Sequence, residues 1–257
     1  MMNNLTIIKV GGKVVEEADS LTRLLDDFAL VAGNKILVHG GGRSATKMCE
    51  RLGIEQKMVD GRRITDAATL DVVTMVYAGL VNKTIVAQLQ KRNVNAFGIT
   101  GADLDIIRSA KRPVKDIDYG FVGDVKEVQT RTLLTLIDEG AVPVVSPITH
   151  DGNGQLLNTN ADTMASELAR ALCTSCYVTL VFCFEKPGVL MNPDDDESVI
   201  PSINYEEFLE YKEQGVIVDG MIPKLENGFA AIKLGVRSVF ITNTDGLRKG
   251  GGTRLEL

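Results

Sequence analysis

Apolar positions along the chain switch repeatedly between a two-residue and a 3.6-residue period. Residues 5–10 form a β-branched run that ends at Gly11-Gly12, a strand entering a glycine loop. Over residues 19–31, Leu21, Leu24, Leu25 and Phe28 recur at helical spacing and mark one apolar face. Residues 35–38 read as a short buried strand entering Gly40-Gly41-Gly42, and Ser44 opens a helix reaching about Leu52. Thr65-Asp66 caps a helical stretch to about Arg92, with a break expected near Gly79. Residues 94–99 return to strand character. Residues 105–128 combine β-alternation, charges and turn residues (Asp118, Gly120, Gly123), which predicts an antiparallel hairpin outside the main core.

Further on, residues 130–139 are helical, with Leu133, Leu134, Leu136 and Ile137 on one face, and residues 141–145 are a strand. A turn at residues 151–154 precedes a helix at 161–172, a strand at 177–184 and an exposed acidic loop at 192–197. A helix at 204–214 follows. Pro223 suits the first turn of the next helix, which is striped by Leu225, Phe229 and Ile232. A late strand spans 238–242, and residues 249–253 read as a flexible loop before the tail. Such alternation predicts an α/β fold, a three-layer α-β-α sandwich around a mainly parallel open sheet. Ligands in such sheets bind beyond the carboxyl ends of strands, where both glycine loops lie.

Composition narrows the chemistry. The 257 residues and 27.8 kDa allow one large domain or two lobes sharing a sheet. A net charge of −6 and a pI of about 5.1 disfavour nucleic-acid and anionic-membrane binding. No apolar run approaches the ~18 residues of a membrane helix. The N-terminus carries neither a basic region nor a cleavage site, so the expected location is the cytoplasm. Cys49, Cys173, Cys176 and Cys183 are then expected as reduced thiols, with the Cys173-x-x-Cys176 pair packing rather than binding metal. With His39 and His150 as the only histidines, a His-rich metal site is excluded.

Five short segments carry candidate chemistry. Lys9-Val10-Gly11-Gly12 presents a strand-end cation beside bare backbone amides, though a plain βα turn has the same look. His39-Gly40-Gly41-Gly42 leads into a helix N-terminus, an anion site by dipole and free N–H groups; the alternative is a flexible connector. It is neither a P-loop nor a GxGxxG turn, because the spacing fails. Arg62-Arg63 offers a fork for a carboxylate, and in an extended chain only one of the two would face a given site. Asn158-Thr-Asn160-Ala-Asp162 is either a helix cap or a set of substrate and lysine contacts. Asp219-Gly-Met-Ile-Pro-Lys224 puts a lysine in a helix's first turn, where the dipole disfavours a cation that lacks an anion. The set contains no nucleophile–base pair. It suits phosphoryl transfer, in which positioning and charge neutralisation do most of the catalysis.

Taken together and in this order, with Gly61-Arg-Arg-Ile-Thr65, Gly120-Phe-Val-Gly123 and Gly252-Thr253-Arg254, these motifs resemble the amino acid kinase superfamily over essentially the whole chain. The resemblance is closest to the branch acting on N-acylglutamates in arginine biosynthesis. It implies ATP-dependent phosphorylation of the γ-carboxylate of N-acetyl-L-glutamate, with another N-acylglutamate such as N-succinyl-L-glutamate as the alternative substrate. Lys9 and Lys224 would stabilise the transferring group, and Asp162 would hold both. Gly11, Gly12 and Gly41 would donate amides to phosphoryl oxygens. Gly41, Gly42, Arg63, Asn158 and Asn160 would bind substrate. Glu185, Lys186, Pro187, Gly188, Val189 and Leu190, with Val216, Ile217 and Val218, would line the nucleotide site. Mg²⁺ would ride on the nucleotide, with no dedicated metal site in the protein. The resemblance also implies a substrate-binding half at 1–172, a nucleotide-binding half at 173–257 and a homodimer. Arginine-inhibited members carry a helical extension before the first strand, which here begins near Leu5, so no feedback through that device is expected. The loop Glu185-Lys-Pro-Gly188 departs from the family's Asp-Val-x-Gly pattern. A competing reading, in a different functional class, is a non-catalytic nucleotide or amino-acid-binding regulator with the same fold.

Overall fold

The computed structural model describes residues 2–59, 62–218 and 220–257. Asp60 and Gly61 of the arginine motif and Asp219 of the lysine motif lie outside the described residues, as does Met1. In chain order the elements are β1 (Asn3–Val10), α1 (Gly12–Glu16), α2 (Ala18–Leu30), β2 (Asn34–His39), α3 (Gly42–Arg51), β3 (Met58–Val59) and β4 (Arg62–Arg63). A continuous helical rod follows: α4 (Ala67–Val73), a π-helical stretch (Thr74–Val81) and α5 (Asn82–Gln90). Then come β5 (Ala96–Ile99), β6 (Ile107–Lys111), β7 (Gly123–Val128), α6 (Thr130–Asp138), β8 (Val142–Val145), β9 (Ile148–His150), β10 (Leu156–Asn158) and α7 (Ala161–Leu172). The remainder is β11 (Cys176–Phe184), β12 (Ser202–Ile203), α8 (Tyr205–Glu213), α9 (Met221–Lys233), β13 (Ser238–Asn243), α10 (Thr244–Lys249) and β14 (Thr253–Leu255).

The central sheet has eight strands in the order β12-β14-β13-β11-β1-β2-β8-β5. All its pairings are parallel except β13 with β14. Alternate residues of β1 divide the core. Leu5 and Ile7 face the layer of α6 to α9, while Ile8 and Val10 face the layer of α1 to α5. This is the predicted three-layer sandwich. Register decides where the site forms: Val10 pairs with both His39 and Cys183, so three neighbouring strands end level. The loops after them, including both glycine loops, therefore open side by side. The predicted hairpin is present as antiparallel β6 and β7, and it widens into a small sheet of order β10-β9-β6-β7.

Three expectations need correction. The rod does not break at Gly79; it passes through in π geometry, with Val76, Tyr77 and Val81 buried and holding it to the core. That rod, Ala67–Gln90, is also long and apolar enough by composition to cross a membrane, contrary to the expectation of no such run, although Asp71 and Lys83 punctuate it. Here its Val72, Val73, Ile85 and Leu89 are core residues. Finally, the C-terminal tail is not loose. Gly252, at φ +118°, turns the chain back in a conformation that only glycine adopts easily, and β14 then pairs antiparallel to β13 and parallel to β12. A lysine also does structural work. Buried Lys35 donates to the carbonyls of Phe28, Ala29 and Val31 and closes the C-terminal end of α2.

Candidate active site

Three charged side chains from distant segments meet. Lys9 sits one residue before the end of β1, on the α7 side, and is buried. Asn160 caps α7 by accepting from the Thr163 N–H at 2.9 Å, which places Asp162 in the first turn. Lys224 occupies the first turn of α9, which packs on α7. The Lys9 ammonium lies 2.7 Å from Asp162 Oδ1, and the Lys224 ammonium lies 3.4 Å from Oδ2. Burial pushes the Asp162 carboxyl upward, but the two lysine charges outweigh it and hold the group below the usual carboxylate range. One carboxylate thus steadies two cations at the mouth of the strand ends.

The glycine loops are tied to each other and to their strands. The Gly11 N–H donates to the Cys183 carbonyl at 2.9 Å, and the Gly40 N–H to the Val10 carbonyl at 3.3 Å. Gly11 was expected to offer its amide to a phosphoryl group; strand register commits that amide to β11 instead. The amides of Gly12, Gly41, Gly42 and Arg43 find no acceptor among the described residues. Glu16 was not singled out from sequence, yet its carboxylate accepts from the Ser44 N–H at 2.7 Å, joining the end of α1 to the first turn of α3. At Gly41 a Cβ would lie 2.9 Å from the Tyr77 ring, so the loop lies flat against the rod only as glycine.

His39 shapes this loop from beneath. Its Nδ1–H donates to the Gly40 carbonyl at 2.7 Å, and its Nε2 accepts from Asn82 Nδ2 at 3.0 Å. Asn82 also donates to the Val144 carbonyl at 2.9 Å. Burial pulls the His39 imidazole down to about 4; the Gly40 carbonyl opposes the fall and Lys83 adds to it. Above pH ~6.5 both folded and unfolded chains hold it neutral. Between there and about 4 the unfolded chain takes up a proton that the folded chain refuses, so acid destabilises. Urea unfolding at pH 7 and pH 5 checks this: the gap in stability between the two should shrink by about 2 kcal/mol in His39→Asn. An unchanged gap would contradict it.

A cleft of about 170 Å³ opens beside the second glycine loop, lined among others by Gly41, Gly42, Arg63, Tyr77, Asn158 and Asn160. Arg63 Nη2 donates to the Gly42 carbonyl and to Thr46 Oγ1, both at 2.8 Å, while its Nη1 is buried without a hydrogen-bond partner among the described residues. A buried guanidinium nitrogen with nothing to bond is poised for an anion entering the cleft. Arg62 lines the same cleft. Strand alternation puts the two Cβ atoms on opposite faces, and among the described residues only the Arg63 head is bonded into the wall of the cleft, at the Gly42 carbonyl and Thr46 Oγ1. Asn158 is nearly buried and donates from Nδ2 to Thr65 Oγ1 at 2.9 Å. Thr65 and Tyr77 were not among the expected site residues. Thr65 ends the Gly61-Arg-Arg-Ile-Thr65 motif without a chemical role to mark it, and Tyr77 lies in no motif; each reaches the site through a fold contact.

The loop after β11 is less open than expected of a nucleotide site. Gly188, Val189, Leu190 and Ile217 are buried, whereas Glu185 and Val218 are exposed and Lys186, Pro187 and Val216 are half-buried. The Val189 N–H donates to Thr253 Oγ1 at 2.8 Å, and Leu190 bridges Val199. Lys186 reaches away to Asp196 Oδ1 at 2.9 Å and the Pro193 carbonyl at 3.1 Å. Any contact this loop makes with a ligand therefore runs through its backbone and its two ends. Of the cysteines, Cys49, Cys176 and Cys183 are buried, and burial pushes the Cys183 thiol up to about 12. No group of three or more His, Cys, Asp or Glu side chains is placed to hold a metal among the described residues.

With this geometry in place, the comparison with known proteins is direct. The amino acid kinase family model matches residues 4–243. The chain belongs to the amino acid kinase family. Within the family, a relative from Bacteroides fragilis named acetylglutamate kinase is 62% identical over 256 residues, covering 100% of this chain and 98% of its own length. One from Methanopyrus kandleri with the same name is 42% identical over 253 residues, covering 97% and 99%. Among solved structures, N-acetylglutamate synthase from Neisseria gonorrhoeae, complexed with coenzyme A and N-acetyl-glutamate, superposes with a TM-score of 0.84 at 20% identity. It covers 98% of this chain and 59% of that one, and at that identity it speaks for the amino acid kinase fold alone.

Proposed function

We propose that this amino acid kinase is an acetylglutamate kinase, transferring the γ-phosphoryl group of ATP to the γ-carboxylate of N-acetyl-L-glutamate in arginine biosynthesis. The observation that carries the reading is the Lys9–Asp162–Lys224 cluster beside a cleft whose Arg63 has an unpartnered guanidinium nitrogen. The nucleophile is a carboxylate, ionised at neutral pH, so no general base is required. Lys9 and Lys224 neutralise charge on the phosphoryl group in flight, and Asp162 positions them. The Gly12 and Gly41 amides bond the phosphoryl oxygens, and Gly42 borders the substrate. Arg63 grips the α-carboxylate, with Asn158 on the same side and Asn160 supporting. ATP sits over the C-terminal half, against residues 185–190 and 216–218, while the first 172 residues hold the acylglutamate. Mg²⁺ travels on the nucleotide phosphates and calls for few protein ligands.

Arg62 supports a second substrate reading. Arg62 is a second arginine among the residues lining the cleft, and N-succinyl-L-glutamate would bring a further carboxylate for it to meet. Competing N-acetyl- and N-succinyl-L-glutamate in one reaction, with glutamate and aspartate as controls, separates the readings. Preference for the acetyl compound supports the first and for the succinyl compound the second; preference for a free amino acid contradicts both. A cytoplasmic homodimer completes the proposal. Exposed Met75 and Leu80 leave apolar surface on the helical rod, and a solution mass of twice the chain is the expected result of sedimentation.

A further inference from the structure

Thr65 is wholly buried, so it touches no substrate, yet its hydroxyl joins two parts of the cleft wall. It accepts from Asn158 Nδ2 at 2.9 Å and donates to the Arg63 carbonyl at 3.2 Å. Ninety-three residues separate Thr65 from Asn158, so only the fold makes this link. The backbone around it is held independently of the side chain. The Thr65 N–H donates to the Tyr119 carbonyl at 3.0 Å, and its own carbonyl accepts from Phe121 N–H at 2.7 Å. The Phe121 carbonyl in turn accepts from the Asn158 N–H at 2.9 Å. The main chain thus fixes where Asn158 begins, and among the described residues the Thr65 hydroxyl is the hydrogen-bond partner of its amide.

We propose that Thr65 is a positioning residue for acylglutamate binding: its hydroxyl orients the Asn158 amide in register with the Arg63 backbone. The inference rests on the acylglutamate reading of the cleft. The net worth of one buried hydrogen bond corresponds to roughly a 2- to 10-fold change in an equilibrium. The loss is expected to fall on the acyl substrate, because the hydrogen bonds of Thr65 among the described residues run to Arg63, Tyr119, Phe121 and Asn158, not to a glycine loop or to Lys9 or Lys224.

Thr65→Val keeps the β-branched shape and every backbone bond while removing the hydroxyl. The expected result is a KM for acylglutamate raised about 3- to 10-fold, with kcat and the KM for ATP within about twofold of wild type, and a thermal midpoint lowered by a few degrees because the buried Asn158 amide loses its partner. Thr65→Ser should restore KM. In an Asn158→Ala background, Thr65→Val should add nothing further, because the group it orients is gone. Thr65→Ala provides the same signature should the valine variant fail to fold. Full multiplicative effects of the two substitutions, an unchanged KM in both hydroxyl-less variants, or a KM for ATP that moves with that for acylglutamate would each overturn the proposal. Failure of the underlying reading is distinguishable, since wild-type protein would then phosphorylate no acylglutamate at all.

Discussion

Lys224→Ala lowers kcat by about 10²–10³-fold, the usual cost of losing one preorganised electrostatic stabiliser, while KM for either substrate changes far less. The split follows from where the ammonium lies. Lys224 is held by Asp162 Oδ2 at 3.4 Å and by the Gly220 carbonyl at 3.2 Å and does not line the cleft of Arg63 and Asn158, the proposed substrate wall. Its charge is met by Asp162 in the resting state and is answered further only when charge spreads over the transferring group. Steady-state kinetics with both substrates varied is the check. Near-normal kcat would remove Lys224 from the chemistry. Lys9→Arg should also be damaging, because a planar fork does not fill the place of a compact ammonium 2.7 Å from its carboxylate.

Asp162→Asn has the largest expected effect on stability. The side chain keeps its size, but two partly buried ammonium groups lose their shared counter-charge. Removing one partner of a buried pair costs about 3–5 kcal/mol, because the remaining charge is left uncompensated. Here one removal orphans two cations, and turnover should fall at least as far as in Lys224→Ala. Denaturant unfolding at pH 7 measures the first effect and initial rates the second. The pH dependence has a definite sign. The folded carboxyl lies below the unfolded value of ~3.9, so the stability it contributes is present above that value and is lost as pH falls through the folded one. Asp162→Asn should lack this acid-side loss. A variant of wild-type stability would mean that the three side chains do not share the buried contact described.

Much of this was legible from sequence because it depends on local pattern. The run into Gly11-Gly12, the helical stripe of Leu21, Leu24, Leu25 and Phe28, and the cap at Asn160 each follow from a few neighbouring residues. The clustering of Lys9, Asp162 and Lys224 followed from motif order rather than from any local signal. What stayed hidden depends on register and on long separations. Nothing within Lys9-Val-Gly-Gly12 announces that the Gly11 amide belongs to Cys183, which strand pairing alone decides. Glu16 reads as one more acid in Glu16-Glu17 until α1 and α3 bring it to Ser44. Gly79 signals a break by its own propensity, but the buried Val76, Tyr77 and Val81 around it carry the helix through. The strands β12 and β14 are two and three residues long, too short for alternation to register.

Transfer of a phosphoryl group to a carboxylate by the Lys9–Asp162–Lys224 cluster would leave an acyl phosphate. Incubating purified protein with ATP, Mg²⁺, an N-acylglutamate and hydroxylamine tests for it, because hydroxylamine traps an acyl phosphate as a hydroxamate. Hydroxamate formation is expected to require both ATP and the acylglutamate and to fall about 10²–10³-fold in Lys224→Ala. Binding of both ligands with no hydroxamate formed would contradict it, and would favour a regulator that keeps the fold without the chemistry.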